Sequence, residues 1–343
     1  MSILLGILIF SFIINSLLFI PFINLLYHFK LQRAKQEFSQ DFRKKIPIFS
    51  KFHALKAGIP VGAGILLIIT TTILFFLSLV TLSYFWYPIT AVFQLVGEIK
   101  ILFFTFIFFA LIGIYDDIRK MFPLEKNGEF GLRVRHKLIL ETILAVIIGI
   151  MLYSNLKIDI VNIPFLGVFS LGIWYIPFAA LIIVAFTNAY NITDGLDGLA
   201  AGLLLIALSF FWIISASILD TPLSLFIAIL IGGLISFLYF NIYPARIFLG
   251  DVGALSFGAT LAVIGLILGK NFALPIIGGI FVLEVCSSLL QMLSKKILGK
   301  KLFPAAPLHL LLQHKGWEEP KIVMRAWLAG LILGLIGLLI VSI

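Results

Sequence analysis

"LSLFIAILIGGLISFLYF", Leu223 to Phe240, runs for eighteen residues without a formal charge. A spanning helix needs roughly 20 predominantly apolar residues, and lipid requires every backbone polar group to be satisfied within the segment. The stretch therefore reads as a helix crossing a bilayer. Barrel strands would be shorter and would alternate. The pattern recurs outward from it at approximately 2–27, 57–83, 100–115, 138–154, 171–187, 199–218, 252–269, 275–294 and 323–342. That makes ten runs, the third of them short.

Composition agrees. With 62% hydrophobic residues, a mean hydropathy of +1.17 and 34 phenylalanines in 343 residues, the chain is too apolar for a soluble domain. The expected fold class is an all-α polytopic membrane protein of about ten transmembrane helices, forming a single domain over residues 1–343. The first run reads as a retained span rather than a cleaved signal. The one cysteine, Cys286, excludes an intrachain disulfide.

Ten spans put both termini on one side and distribute the connections over two faces. The face holding connections 28–56, 116–137, 188–198, 241–251 and 295–322, with Arg325 flanking, carries 22 of the 25 Lys and Arg residues. Only Lys100, Lys157 and Lys270 fall on the other. Positive charge marks the cytoplasmic side, so the termini are expected outside and those five connections inside. The net charge of +9 thus reads as topology rather than nucleic-acid binding.

The acidic residues gather on that same face. "TNAYNITDGLDGLA" (187–200) carries Asp194 and Asp197, "GIYDDIRK" (113–120) carries Asp116 and Asp117, and "IFLGDVGALSFG" (247–258) carries Asp251. Each alone could be a helix-end polar residue, with Asp251 an N-cap before the eighth run and Asp220 lying in an outward connection away from the others. Five carboxylates on one face repel unless cations neutralise them. Carboxylate and phosphate oxygens together are the ligand set magnesium prefers. Gly195, Gly198, Gly250 and Gly253 would let backbone approach a ligand closely. The last inward connection, "FPAAPLHLLLQHKGWEEPKIVMRAW" (303–327), suggests a short helix whose Leu308 and Leu310 to Leu312 lie against the membrane, with His309, His314, Lys315 and Arg325 as polar reach. "HALKAGIPVGAG" adds His53 and Lys56; for Lys56 the plain alternative is an ordinary positive-inside residue.

The order "HxxKxGxP", "DDxxK", "NxxNxTDGLDGLA", "FxGDxGxxxxG" and "PLH…GWxEPKIVxRxW", spread from His53 to Trp327, resembles the polyprenyl-phosphate N-acetylhexosamine-1-phosphate transferases. Glu284 in "VLEVCSSLLQ" and the "EPKIVMRAW" tail make it most similar to the phospho-N-acetylmuramoyl-pentapeptide branch. The resemblance implies transfer of phospho-MurNAc-pentapeptide from UDP-MurNAc-pentapeptide to undecaprenyl phosphate, releasing UMP and forming lipid I for peptidoglycan. It implies an inner-membrane protein with a cytoplasmic Mg2+ site, and leaves a homodimer open. Carried over by position, Asp251 is the metal ligand and Asp116 and Asp117 lie near the lipid phosphate, with His309 in the catalytic group. Asn191 and Asp194 line the nucleotide-sugar site; Gly195, Leu196 and Asp197 border the uracil pocket, and Phe248 stacks on uracil. Lys56, Lys120 and Lys137 match basic residues near the phosphates. The family usually shows three consecutive histidines after "PL"; here the positions are His309, Leu310 and Leu311. Ile59 and Val61 replace hydroxyl residues beside the early proline. The alternatives are an N-acetylglucosamine-1-phosphate transferase, a non-catalytic homologue, or a transporter, which would place its carboxylates nearer mid-bilayer.

Overall fold

A computed structural model describes residues 2–32, 56, 58–121 and 131–342, so His53 lies outside the described residues. The chain is a multi-pass all-α membrane protein. Its long helices are α1 (Ser2–His28), α2 (Ala63–Tyr84), α3 (Leu95–Met121), α4 (Val134–Asn155), α5 (Tyr175–Thr193), α6 (Leu199–Ser217), α7 (Thr221–Asn241) and α8 (Gly250–Ile267). After these come α9 (Ala273–Ile277), α10 (Gly279–Leu298), the short α11 (Leu308–His314) and α12 (Glu319–Ser342). A two-stranded antiparallel hairpin, β1 (Ile160–Ile163) and β2 (Gly167–Ser170), joins α4 to α5.

Nine of the described helices are long and apolar enough to cross a membrane. The run at 275–294 is the one that differs, because the helix breaks at Gly278 and its second half carries Glu284, Lys295 and Lys296. The third run is not short. Glu98 and Lys100 at one end and Asp116, Asp117, Arg119 and Lys120 at the other are helical, extending α3 to 27 residues. At 1.5 Å per residue that is about 40 Å, enough to carry the polar ends clear of a 30 Å hydrocarbon core.

Two helices form the centre. Every residue of α8 from Val252 to Ile267 is buried, and α7 is buried along most of its length. A helix apolar on every side belongs inside a bundle. Small residues make this close packing feasible, and α8 is rich in them: Gly253, Ala254, Ser256, Gly258, Ala259, Ala262 and Gly265. At Gly113 of α3 an added Cβ would overlap the Asp251 carbonyl, so the two backbones touch there. Ser256 completes the contact, its hydroxyl donating to the Phe106 carbonyl at 2.6 Å. The peripheral helices α1, α4 and α12 expose most of their apolar surface, as lipid-facing helices do.

Candidate active site

Asp116 and Asp117 sit in the last turns of α3, and Asp251 in the first turn of α8. The α3–α8 contact brings all three together. Lys120, one turn beyond Asp116, places its ammonium 3.1 Å from Asp116 Oδ2 and 2.7 Å from Asp251 Oδ2. Lys137, in the first turn of α4, reaches the same two oxygens at 3.3 and 2.7 Å. Two cations thus share two carboxylate oxygens.

Asp251 does not cap its own helix; the residue in that position is Leu249. Asp117 does the work from the neighbouring helix, its Oδ2 accepting a hydrogen bond from the Val252 backbone N–H at 3.1 Å. The first N–H groups of a helix have no intrahelical partner, and their positive end favours a carboxylate. Gly250, with φ of +81°, is required here, since a Cβ would stand 2.6 Å from Asp117 Oδ2. Asp116 is fixed in the same way, accepting from the Leu132 N–H at 2.6 Å.

The "TDGLDG" turn between α5 and α6 forms the second half of the site. Asn191 and Asp194 are half-buried at the end of α5, where Asp194 is the C-cap, and Leu196 is buried. Asp197 accepts from Lys56 Nζ at 2.5 Å and from the Ala245 N–H at 3.0 Å. Lys56 also donates to Glu319 Oε1 at 2.7 Å and to the Gly195 carbonyl at 3.4 Å, and its ammonium lies 5.9 Å from the centre of the Phe248 ring. Glu319 closes the triad by accepting the Asp197 N–H at 2.6 Å. Lys56 is therefore a buried, doubly paired cation rather than an ordinary loop residue. Asn241 ties the turn to the next connection, accepting from the Gly198 N–H at 3.0 Å and donating to the Ile247 carbonyl at 2.9 Å.

His309 is brought to the same turn. It is buried in α11, and a Cβ on Gly195 would lie 2.5 Å from its Nε2. Its other ring nitrogen, Nδ1, is 3.0 Å from Glu284 of α10. The face α11 buries is His309 and Gln313, whereas Leu308 and Leu310 to Leu312 are half-buried. His314 is exposed.

Two of the expected glycines do other work. Gly253 faces Leu249, and its backbone meets Gly64 of α2; Gly198, at φ +78°, packs beside Leu238 and Trp327. They admit protein rather than ligand. Four contributing residues were not given roles from the sequence. Glu319 and Glu284 find partners 263 and 25 positions away, so no local spacing reveals them. Asn241 and Asn188 are likewise long-range, Asn188 donating to the buried Glu141 at 2.6 Å. The available signal was the presence of Glu141 and Glu284 within apolar runs, where charge is expensive and needs a partner.

No group of three or more His, Cys, Asp or Glu side chains among the described residues is spaced to hold a metal ion as it stands. The donor chemistry nevertheless suits magnesium: Asp116, Asp117 and Asp251 are hard oxygen donors gathered at two adjoining helix ends beside two ammonium groups.

A family profile described as Glycosyl transferase family 4 matches residues 99–269. Phospho-N-acetylmuramoyl-pentapeptide-transferase of Caldanaerobacter subterraneus subsp. tengcongensis is 36% identical over 320 residues, covering 93% of this chain and 92% of that one. The protein of the same name from Clostridium perfringens is 37% identical over 314 residues, covering 91% and 90%. That of Acetivibrio thermocellus is 36% identical over 310 residues, covering 89% and 87%.

Proposed function

The chain belongs to the phospho-N-acetylmuramoyl-pentapeptide transferases, and from that membership we propose that it transfers phospho-MurNAc-pentapeptide from UDP-MurNAc-pentapeptide to undecaprenyl phosphate, releasing UMP and forming lipid I. The observation that carries the reading is the convergence of Lys120 and Lys137 on Asp251 beside Asp116, at helix ends where a lipid phosphate and a nucleotide can meet.

Asp251, with Asp116 and Asp117, would hold Mg2+, which would supply neutralising charge for the pyrophosphate. Lys120 and Lys137 turn from the carboxylates to phosphate oxygens as the substrates enter, and stabilise charge building on the departing UMP. A phosphate oxygen of the lipid attacks the β-phosphorus; that P–O bond forms while the bond from the β-phosphorus to the bridging oxygen breaks, and the bridging oxygen leaves with its electron pair as part of UMP. A phosphomonoester has its second pKa at about 6, so the nucleophile is already ionised at neutral pH and needs no strong base. Asp116 and Asp117 each accept a backbone N–H bond, which suits fixed positioning and electrostatic roles better than covalent attack. Phe248, Lys56, Asp197 and the turn at Gly195 and Leu196 form the nucleotide end, with Asn191 and Asp194 beside the sugar phosphate. With the broken pair α9 and α10 read as a tenth crossing, the charge split of 22 to 3 supports a plasma-membrane protein with this face in the cytoplasm and its termini outside.

The test is UMP release by purified protein given undecaprenyl phosphate and UDP-MurNAc-pentapeptide, with and without Mg2+, and in parallel UDP-N-acetylglucosamine. Magnesium-dependent release with the muramoyl substrate alone is expected. Release with the N-acetylglucosamine substrate alone would replace this reading with the related transferase.

A further inference from the structure

Glu284 is 2% exposed, in the middle of the apolar stretch "GIFVLEVCSS" of α10. An ionised carboxylate in such a segment is costly unless donors meet it. Both donors come from one residue. The His309 backbone N–H lies 3.1 Å from Glu284 Oε1 and 3.3 Å from Oε2, and His309 Nδ1 lies 3.0 Å from Oε2. A carboxylate accepts hydrogen bonds and does not donate them, so Nδ1 carries the ring proton. The imidazole is clamped at its backbone and at one ring nitrogen, and Nε2 is the atom turned to Gly195. Gly195 has no side chain to intervene, and its carbonyl belongs to the Lys56 and Asp197 network.

We propose that Glu284 is a positioning residue for the transfer reaction, acting through His309 by fixing the ring with Nδ1 protonated and Nε2 presented to the nucleotide-sugar site at Gly195. The proposal rests on the transferase reading above. It gives the break at Gly278 a purpose, since the turn there separates α10 from α9 and sets Glu284 in the second turn of the new helix, opposite α11. It also fits a chain with leucines at 310 and 311, in which His309 is the one imidazole buried at this turn among the described residues.

Glu284→Gln replaces the acceptor with an amide that can donate to Nδ1 and favour the opposite tautomer. Loss of such an orienting partner typically costs about tenfold to a hundredfold in activity. The expected result is that fall in kcat with KM for both substrates within about twofold. Glu284→Asp, which keeps the carboxylate but shortens it, should recover part of the rate and serves as the second variant should the glutamine form fold poorly. In a double-mutant cycle, adding Glu284→Gln to His309→Ala should cost nothing further, because the ring it orients is gone. Nitrogen-15 spectra of histidine-labelled protein should show an Nδ1–H tautomer assignable to His309, lost in Glu284→Gln. Undiminished kcat in Glu284→Gln, or losses that multiply in the cycle, would overturn the positioning role while leaving the transferase reading intact. Wild-type protein that keeps the Nδ1–H signature but releases no UMP would overturn the transferase reading, and the positioning role with it.

Discussion

Glu98 and Asp220 bury their carboxyl groups against each other at the end of α3 opposite Asp116. Eighteen residues of helix separate Glu98 from Asp116, about 27 Å. Asp220 is not a free residue of an outward connection: it is 1% exposed and caps α7, its Oδ1 accepting from the Leu223 N–H at 3.3 Å. Neither Glu98 oxygen, nor Asp220 Oδ2, meets a hydrogen-bond donor among the described residues. Burial pushes the Asp220 carboxyl above its ordinary range.

A pH dependence follows from this pair. Below the unfolded value, near 3.9, folded and unfolded chains both hold the Asp220 proton and the group contributes nothing. Above it the unfolded chain releases the proton while the folded chain keeps it, so stability falls as pH rises until the folded value is passed. Thermal unfolding in detergent at stepped pH should show a shallower decline for Asp220→Asn than for wild type, with UMP release little changed. An unchanged slope would remove Asp220 from the account.

Asp251→Asn should lower UMP release by at least about a hundredfold, in the range seen when a group facing developing charge is removed. The protein should still fold, since Lys120 and Lys137 retain Asp116 as a partner. Turnover near the wild-type level would take the metal and phosphate role away from this residue.

Lys56→Ala should be a stability mutation as much as a functional one. It leaves the buried Asp197 and the half-buried Glu319 without their shared cation, and breaking a buried pair from one side typically costs about 3–5 kcal/mol. A lowered thermal midpoint, partly restored by adding Glu319→Gln, is expected. A midpoint equal to wild type would show that the two acids find other partners.

Gly195→Ala separates steric from backbone effects. Gly195 is absent from the positive-φ positions, so alanine is not strained there, yet its Cβ would stand 2.5 Å from His309 Nε2. Turnover should fall about tenfold or more, as expected when a donor is displaced from its place. Retained activity would mean the imidazole can shift freely.

Topology is tested by labelling single cysteines at Asn162 and Lys300 in a Cys286→Ser background. Reagent added outside intact cells should reach position 162 and spare position 300. The opposite pattern would invert the proposed orientation.

The all-α membrane fold and most of its spans were legible because lipid imposes a crude code of apolar length, while the side on which Lys and Arg gather is the expectation that the labelling tests. Asp116, Asp117 and Asp251 were legible as charges among apolar runs. What sequence could not supply was pairing. That Asp117 caps a helix beginning more than 130 positions later, or that Lys56 is held by Glu319, depends on which helix ends meet. The inward place of His309 beside membrane-facing leucines was legible too, but what holds it was not: Glu284 supplies two acceptors, for the His309 backbone N–H and for Nδ1, from a different helix.

The backbone contact at Gly113 also bears on how such a chain can diverge. Asp116 and Asp117 are carried by α3 and Asp251 by α8, and the two helices touch at Gly113, so the spacing of the charges is written into rigid elements rather than into the connections between them. The connection following α3 enters it at one described point, where the Leu132 N–H holds Asp116. A single methyl group at position 113, pressed against the Asp251 carbonyl, would change the spacing itself. Divergence at that one small residue is thereby coupled directly to the charge geometry.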